Sequence, residues 1–317
     1  MRRPTVLALR ALKIGDLLVA VPALRGLRRA FPQHRLVLAC SARLHPLVRL
    51  ITVPGIGGID LHLPTPGLDR PLPGLDDLID VAVNLHGYGT ESRSALEGLH
   101  PLRRIGHRAP GWAGPDWVDR IHERERWVRL LRWHGVAADP DDFRLPVPPA
   151  DPWNGVPAAI VHTGAAHASR HWPTERFARV AVALQERGLT VYLTGSAAER
   201  DRCLDTSRRA GLPDNRVLAG DTSLDDLFAL VAHSRLLVSA DTGIAHLASA
   251  FGTPSVVLFG PVGPEIWGPP PGPHRALTDA SVRRGDAFAR TPDPALLAVG
   301  VEDVLREADS LLGTERC

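Results

Sequence analysis

The chain has 317 residues, 44% hydrophobic and 23% charged, which is enough for two domains with sizeable cores. Its formal net charge of +2 is too balanced for an electrostatic nucleic-acid binder. The three cysteines, Cys40, Cys203 and Cys317, form no CxxC pair, which sets aside a disulfide framework or structural zinc and fits a reducing cytosol.

The first residues, MRRPTVLALRALKIGDLLVAVPAL, are basic and then apolar, like a secretion signal. Arg10, Lys13 and Asp16 interrupt the apolar part, whereas a signal needs a charge-free core. No apolar run approaches the roughly 20 residues of a spanning helix. The expectation is a soluble, cytoplasmic protein, with peripheral membrane contact left open. Lys13 is the only lysine among 37 basic residues. Arginine bias in a high-GC genome leaves two readings of it, chance or a need for a compact ammonium.

In chain order, TVLALRA is a short strand. DLLVAVPALRGLRRAF follows as a helix with Asp16 in its first turn and arginines at its end, which suits the helix dipole. Pro22 falls inside that pattern and predicts a kink or a late start. RLVLAC and DVAVNLHG are further strands, the second followed by a loop, HGYGTES. RIHERERWVRLLRWHGV is an amphipathic helix ending at Gly135. The proline- and acid-rich ADPDDFRLPVPPADPWNGVP then marks a domain boundary, placing domains at 1–150 and 151–317.

The second half alternates strands and helices. AAIVHTG precedes TERFARVAVALQERG, TVYLTG precedes ERDRCLDTSRRAG, and NRVLAG precedes SLDDLFALVAHS. RLLVSA precedes TGIAHLASAFG, PSVVLFG follows, and VEDVLREADSLL closes the chain after a loop-rich stretch. Such alternation predicts parallel sheets with right-handed crossovers, here two Rossmann-like domains facing each other.

Ligands of open α/β sheets bind beyond the carboxyl ends of strands. Those ends carry KIGD, HTGAAHASRHWP, TGSAAER, DTGIAH and PVGPE. Asp241, Thr242 and Gly243 fall at a helix N-terminus, where free amides favour phosphate and glycine allows close approach. Asp241 reads either as an acceptor for sugar hydroxyls or as a plain helix cap. His246 lies one turn further on. Arg170 suits a diphosphate. Glu199 reads either as a ribose partner or as a first-turn helix acid. There is no P-loop, no GxGxxG after the first strand and no clustered metal-ligand motif, which argues against nicotinamide dinucleotide binding.

Together these motifs resemble glycosyltransferase family 9, the ADP-heptose lipopolysaccharide heptosyltransferases. The stretches that carry the resemblance are IGDLLVAVPALRGLRRAFP, VNLHGYGTESRSAL, RRIGHRAPG, HTGAAHASRHWPTERFARVA, LTGSAAERD and LAGDTSLDDLFALVAHSRLLVSADTGIAHLASAFGTPSVVLFGP. The resemblance implies a GT-B fold, with acceptor on the N-terminal domain and nucleotide sugar on the C-terminal one. It implies inverting transfer of a sugar, heptose first, from an ADP-linked donor to a glycan, glycolipid or small-molecule acceptor. Neither cofactor nor metal is needed, and a monomer without nucleic-acid partners is expected.

On that reading Asp16 is the base and Lys13 assists it or meets the leaving phosphate. Thr163, Arg170, Gly195, Ser196, Glu199, Asp241, Thr242, Gly243 and His246 hold the donor, and His86 and Gly87 face the acceptor. Arg170 stands where the family has lysine, and Asn84 where aspartate is common. Two rivals remain: a sugar-nucleotide binding module without catalysis, against which Asp16 speaks, and a transferase for another nucleotide sugar.

Overall fold

The computed structural model describes residues 3–52, 58–65, 67–72, 75 and 78–313; Cys317 lies outside them. The chain divides into two compact units, up to Pro146 and from Val147.

The first unit runs β1 (Thr5–Leu9), α1 (Ile14–Ala30), β2 (Arg35–Cys40), α2 (His45–Ile51), β3 (Leu61–Pro64), β4 (Ile79–Asn84), α3 (Thr90–Glu97), β5 (Arg103–Ile105) and α4 (Glu123–Trp133). Its five strands are all parallel, in the order β3-β2-β1-β4-β5. The second unit runs β6 (Ala158–His162), α5 (Thr174–Glu186), β7 (Thr190–Thr194), α6 (Arg200–Ala210), α7 (Leu224–Ala232), β8 (Leu236–Ala240), α8 (Gly243–Phe251), β9 (Ser255–Leu258), α9 (Pro264–Trp267), β10 (His274–Leu277), α10 (Pro294–Leu297) and α11 (Val301–Leu312). Its strands are also parallel, in the order β10-β9-β8-β6-β7. Both are doubly wound sheets. The strand order reverses between β1 and β4 in one and between β6 and β8 in the other, and the crevice at such a switch point is where these folds take ligands.

The central strands β1 and β8 are buried along their whole length, as a sheet covered on both faces demands. In the second unit Trp172, Phe177, Leu184 and Val304 pack α5 and α11 onto the sheet.

Four expectations are corrected. The first helix starts at Ile14, earlier than read, and runs unbroken through Pro22. Its start is fixed because the Asp16 carboxylate accepts from the Lys13 main-chain N–H at 3.1 Å; Pro22 removes only one interior donor. Thr90, Glu91 and Ser92 open α3 rather than continuing a loop. NRVLAG forms a single 3-10 turn, Asp214–Arg216, with one bridge from Val217 to Leu193 in place of a strand. Finally, β3, β5 and β10 were not read at all; they are three or four residues long and lie at sheet edges, where alternation and apolar runs are weakest.

Candidate active site

At the β1/β4 switch point the chain leaves β1 and turns into α1. Arg10, the first residue past the strand, points inward and is 1% exposed. Its guanidinium donates to the Leu85 carbonyl beyond β4 and, at 2.9 Å, to the Asp16 carbonyl. It also stacks 4.5 Å over the Trp127 ring of α4. Burial pulls its pKa down to about 10, against the pull of Asp16, so it remains a cation at neutral pH. Arg10 Nη2 stands 3.5 Å from the Asp16 carboxylate, whose side chain keeps 25% of its surface exposed. Asp16 therefore sits in the first turn of α1, held by a main-chain N–H and a buried arginine. Lys13 precedes the helix, exposed, and its ammonium forms no ion pair among the described residues.

His86 and Gly87 follow β4 on the other side of the switch point. The His86 main-chain N–H donates to Asn84 Oδ1 at 3.1 Å, and its Nδ1 is buried without a hydrogen-bond partner. Burial, and then the charge of Arg10, lower the His86 pKa, with Asp16 and Glu91 opposing; the ring is neutral at pH 7. Asn84 donates to Ser92 Oγ at 3.0 Å. A side chain added at Gly87 would meet nothing within 4 Å, so space beside it is open.

At the β6/β8 switch point the arrangement centres on α8. Thr242 is its N-cap residue, with no side-chain cap bond, and its hydroxyl oxygen is buried without a hydrogen-bond partner. The first turn of α8, beginning at Gly243, opens at this strand end, where helix amides favour an anion; the Ala245 amide is already taken by the Thr242 carbonyl at 3.0 Å. Asp241 precedes the cap and is not itself the cap. Its carboxylate is 3.5 Å from Arg170 Nε; the Asp241 side chain is 7% exposed and that of Arg170 22%. Arg170 ends a 3-10 turn, Ala168–Arg170, and its Nε is buried without a hydrogen-bond partner. His246, one turn along α8, packs edge-on against Trp267 at 5.7 Å.

The remaining donor candidates divide. The Ser196 main-chain N–H and hydroxyl donate to Glu199 Oε2 at 2.7 and 2.8 Å, a capping arrangement before α6. Burial pushes the Glu199 pKa up, but these bonds and the nearby His162 and His171 outweigh it and lower it. Its carboxyl group lies over Gly164, where an added Cβ would come within 2.3 Å of it. Gly195 is hemmed in by Cys203 and Glu199. Thr163 turns into the core, its hydroxyl 3.2 Å from Cys203 Sγ, so only its backbone faces the strand end. Sequence reasoning passed over Arg10 and Gly164, although each directly follows or nearly follows a strand.

Two doubly wound parallel-sheet units, each with charged groups at its switch point, define the GT-B class of fold. The solved structures agree. A glycosyl transferase family 9 protein from Veillonella parvula matches with a TM-score of 0.79 at 19% identity, over 99% of each chain. An ADP-heptose lipopolysaccharide heptosyltransferase II from Escherichia coli matches with 0.77 at 21% identity, over 100% of each. An Escherichia coli heptosyltransferase solved with ADP matches with 0.68 at 17% identity, over 97% of this chain and 99% of that one.

Residues 130–280 match the model of glycosyltransferase family 9 (heptosyltransferase). The chain is 33% identical over 156 residues to lipopolysaccharide heptosyltransferase 2 of Escherichia coli K12, covering 45% of this chain and 43% of the relative. It is 37% identical over 120 residues to lipopolysaccharide heptosyltransferase 1 of Pseudomonas aeruginosa, covering 38% and 32%. The aligned part thus spans less than half the length of these relatives.

Proposed function

We propose that the protein is an inverting glycosyltransferase, independent of metal, that moves a sugar from an ADP-linked donor to an acceptor hydroxyl. Heptose is the leading sugar, and a glycan, glycolipid or small molecule the acceptor. One observation carries the reading. Each switch point holds an arginine–aspartate pair at 3.5 Å, but Asp16 is the exposed partner in the first unit and Arg170 in the second. An accessible carboxylate suits proton removal, and an accessible guanidinium suits a diphosphate.

In the proposed reaction Asp16 takes the proton from the acceptor hydroxyl. The freed oxygen attacks the anomeric carbon, the carbon–oxygen bond to the diphosphate breaks, and ADP departs with the electron pair. Arg170, the unpaired Thr242 hydroxyl and the first-turn amides of α8 stabilise charge gathering on that diphosphate. Asp241 and His246 flank the sugar, Glu199 accepts from the ribose, and Ser196, Gly195 and the Thr163 backbone shape the donor loops. His86 and Gly87 line the acceptor side, with Lys13 beside Asp16. Among the described residues no three His, Cys, Asp or Glu side chains are grouped to hold a metal.

The names of the relatives and the ADP in one structural neighbour support the choice of donor. No described helix is long and apolar enough to cross a membrane. A monomer working in the cytoplasm, at the inner face of the plasma membrane where its acceptor is a lipid, fits this reading. Calorimetry tests it: ADP should bind in the presence of EDTA, and more tightly than NAD. A strict need for a divalent ion, or preference for NAD, would sink the proposal.

A further inference from the structure

Two residues beyond His86, Tyr88 is 55% exposed. It is not a loose side chain. Its ring lies 4.5 Å from the Trp117 ring at an interplanar angle of 32°, and its carbonyl accepts from the Arg93 guanidinium. Trp117 is fixed in turn. Its indole N–H donates to Asp119 at 2.9 Å, and the Arg126 guanidinium sits 3.9 Å from its ring centroid. Arg126 is 3% exposed, bonded to Glu123 at 2.8 Å and to the carbonyls of Val118 and Asp119. Trp117 meets Trp127 edge-on at 6.3 Å, and Trp127 is the ring beneath Arg10. One continuous stack therefore joins Asp16, through Arg10, Trp127 and Trp117, to Tyr88. It ends at Tyr88, which is 55% exposed.

A half-exposed aromatic ring held in one orientation is a surface on which a flat apolar group can stack. The open space at Gly87 lies next to it in the chain, and His86, which feels the charge of both Arg10 and Asp16, precedes that. The C–H face of a pyranose ring matches such a surface: it is flat and apolar, with hydroxyls at the rim that stay hydrated. We propose that the outer face of Tyr88 is a stacking platform for a sugar ring of the acceptor, setting which acceptor hydroxyl reaches Asp16. The proposal rests on the glycosyl-transfer reading. Tyr88 is a specificity residue in it, not a catalytic one.

The chain has two tyrosines. The other, Tyr192, packs 4.4 Å from Trp153 in the second unit and serves as an internal control. In protein labelled with 3-fluorotyrosine, titration with methyl α-D-mannopyranoside and methyl β-D-glucopyranoside should shift the Tyr88 fluorine signal saturably and leave Tyr192 in place. Saturation transfer to the glycoside should show affinity kept in Tyr88→Phe and lowered about two- to twelvefold in Tyr88→Ala, the range of an aromatic contact. ADP binding, measured on the same samples, should be unchanged by either variant. No saturable shift at Tyr88, or equal transfer from Tyr88→Ala, overturns the platform. So does a Tyr88 shift with anionic phosphatidylglycerol vesicles but not with glycosides, which would make it a membrane contact. Glycoside stacking without ADP binding keeps the platform and overturns the transferase reading.

Discussion

The two switch points use the same pair of residue types at the same 3.5 Å separation and reverse which member is buried. In the first unit Arg10 is buried over the Trp127 ring with its donors spent on Leu85 and Asp16, so the carboxylate is the more exposed partner. In the second unit Asp241 is sunk, its main-chain N–H spent on Leu258 at 2.9 Å, while Arg170 keeps a buried Nε without a hydrogen-bond partner. Burying one member of an ion pair fixes the geometry of the other, because an unpaired buried charge is strongly disfavoured. The two units therefore bury opposite members of the same pair. The family match covers residues 130–280, mostly the second unit.

The largest effect is expected at the exposed carboxylate. Asp16→Asn keeps a side chain able to accept from the Lys13 N–H, so the start of α1 survives, while removing the carboxylate that faces the buried Arg10 should lower the melting temperature modestly. It cannot take a proton, so transfer should fall by at least about 10²-fold while ADP affinity holds. Steady-state transfer and ADP calorimetry on the same preparation decide the matter. Near-normal transfer would reduce Asp16 to a helix residue and move the search for a base to His86.

Next in size is the exposed cation. Arg170→Ala should weaken ADP binding by about 1–3 kcal/mol, the range for a charged hydrogen bond. It also removes the cation facing the buried Asp241, so a modest fall in melting temperature should accompany it. Loss of stability with unchanged ADP affinity would show that the second pair is structural and that the reversal between the units has no functional meaning.

This reversal is the part that could not be read from the sequence. Single carboxylates just past strands, Asp16 and Asp241, are visible because GD and DTG follow clear apolar runs. RLVLAC is visible as β2, Arg35–Cys40, for the same reason. Arg10 read only as an interruption of such a run. What makes it a buried partner is Leu85, 75 residues away, and Trp127 on α4, and local pattern cannot specify either. NRVLAG misleads in the opposite way: it has a strand's composition, but it meets the chain at and after β7 only through the bridge from Val217 to Leu193 and the main-chain bonds from Leu218 to Leu193 and from Gly220 to Gly195, and strands are defined by pairing as much as by pattern. Glu199 lies between these cases. The Ser196–Glu199 spacing signals a helix cap, which the structure has, and the same carboxylate still has a second oxygen to offer a ligand.

That double role sets the smallest prediction. Gly164 follows β6 with backbone angles any residue can adopt, so replacing it strains nothing by itself. Its added Cβ, however, would fall 2.3 Å from the Glu199 carboxyl carbon and 2.6 Å from Oε1. The carboxyl group is the far end of a flexible side chain, so it should move and leave the fold intact. Moving it breaks the bonds from Ser196, costing about 0.5–2 kcal/mol of stability as a lost cap. If Glu199 also accepts from the donor ribose, Gly164→Ala should lower ADP affinity by about 0.5–1.5 kcal/mol, one hydrogen bond's worth. Thermal melting and ADP calorimetry separate the two contributions. A lowered melting temperature with unchanged ADP affinity would leave Glu199 as a cap alone, and the second unit would then hold its nucleotide through Arg170 and the start of α8.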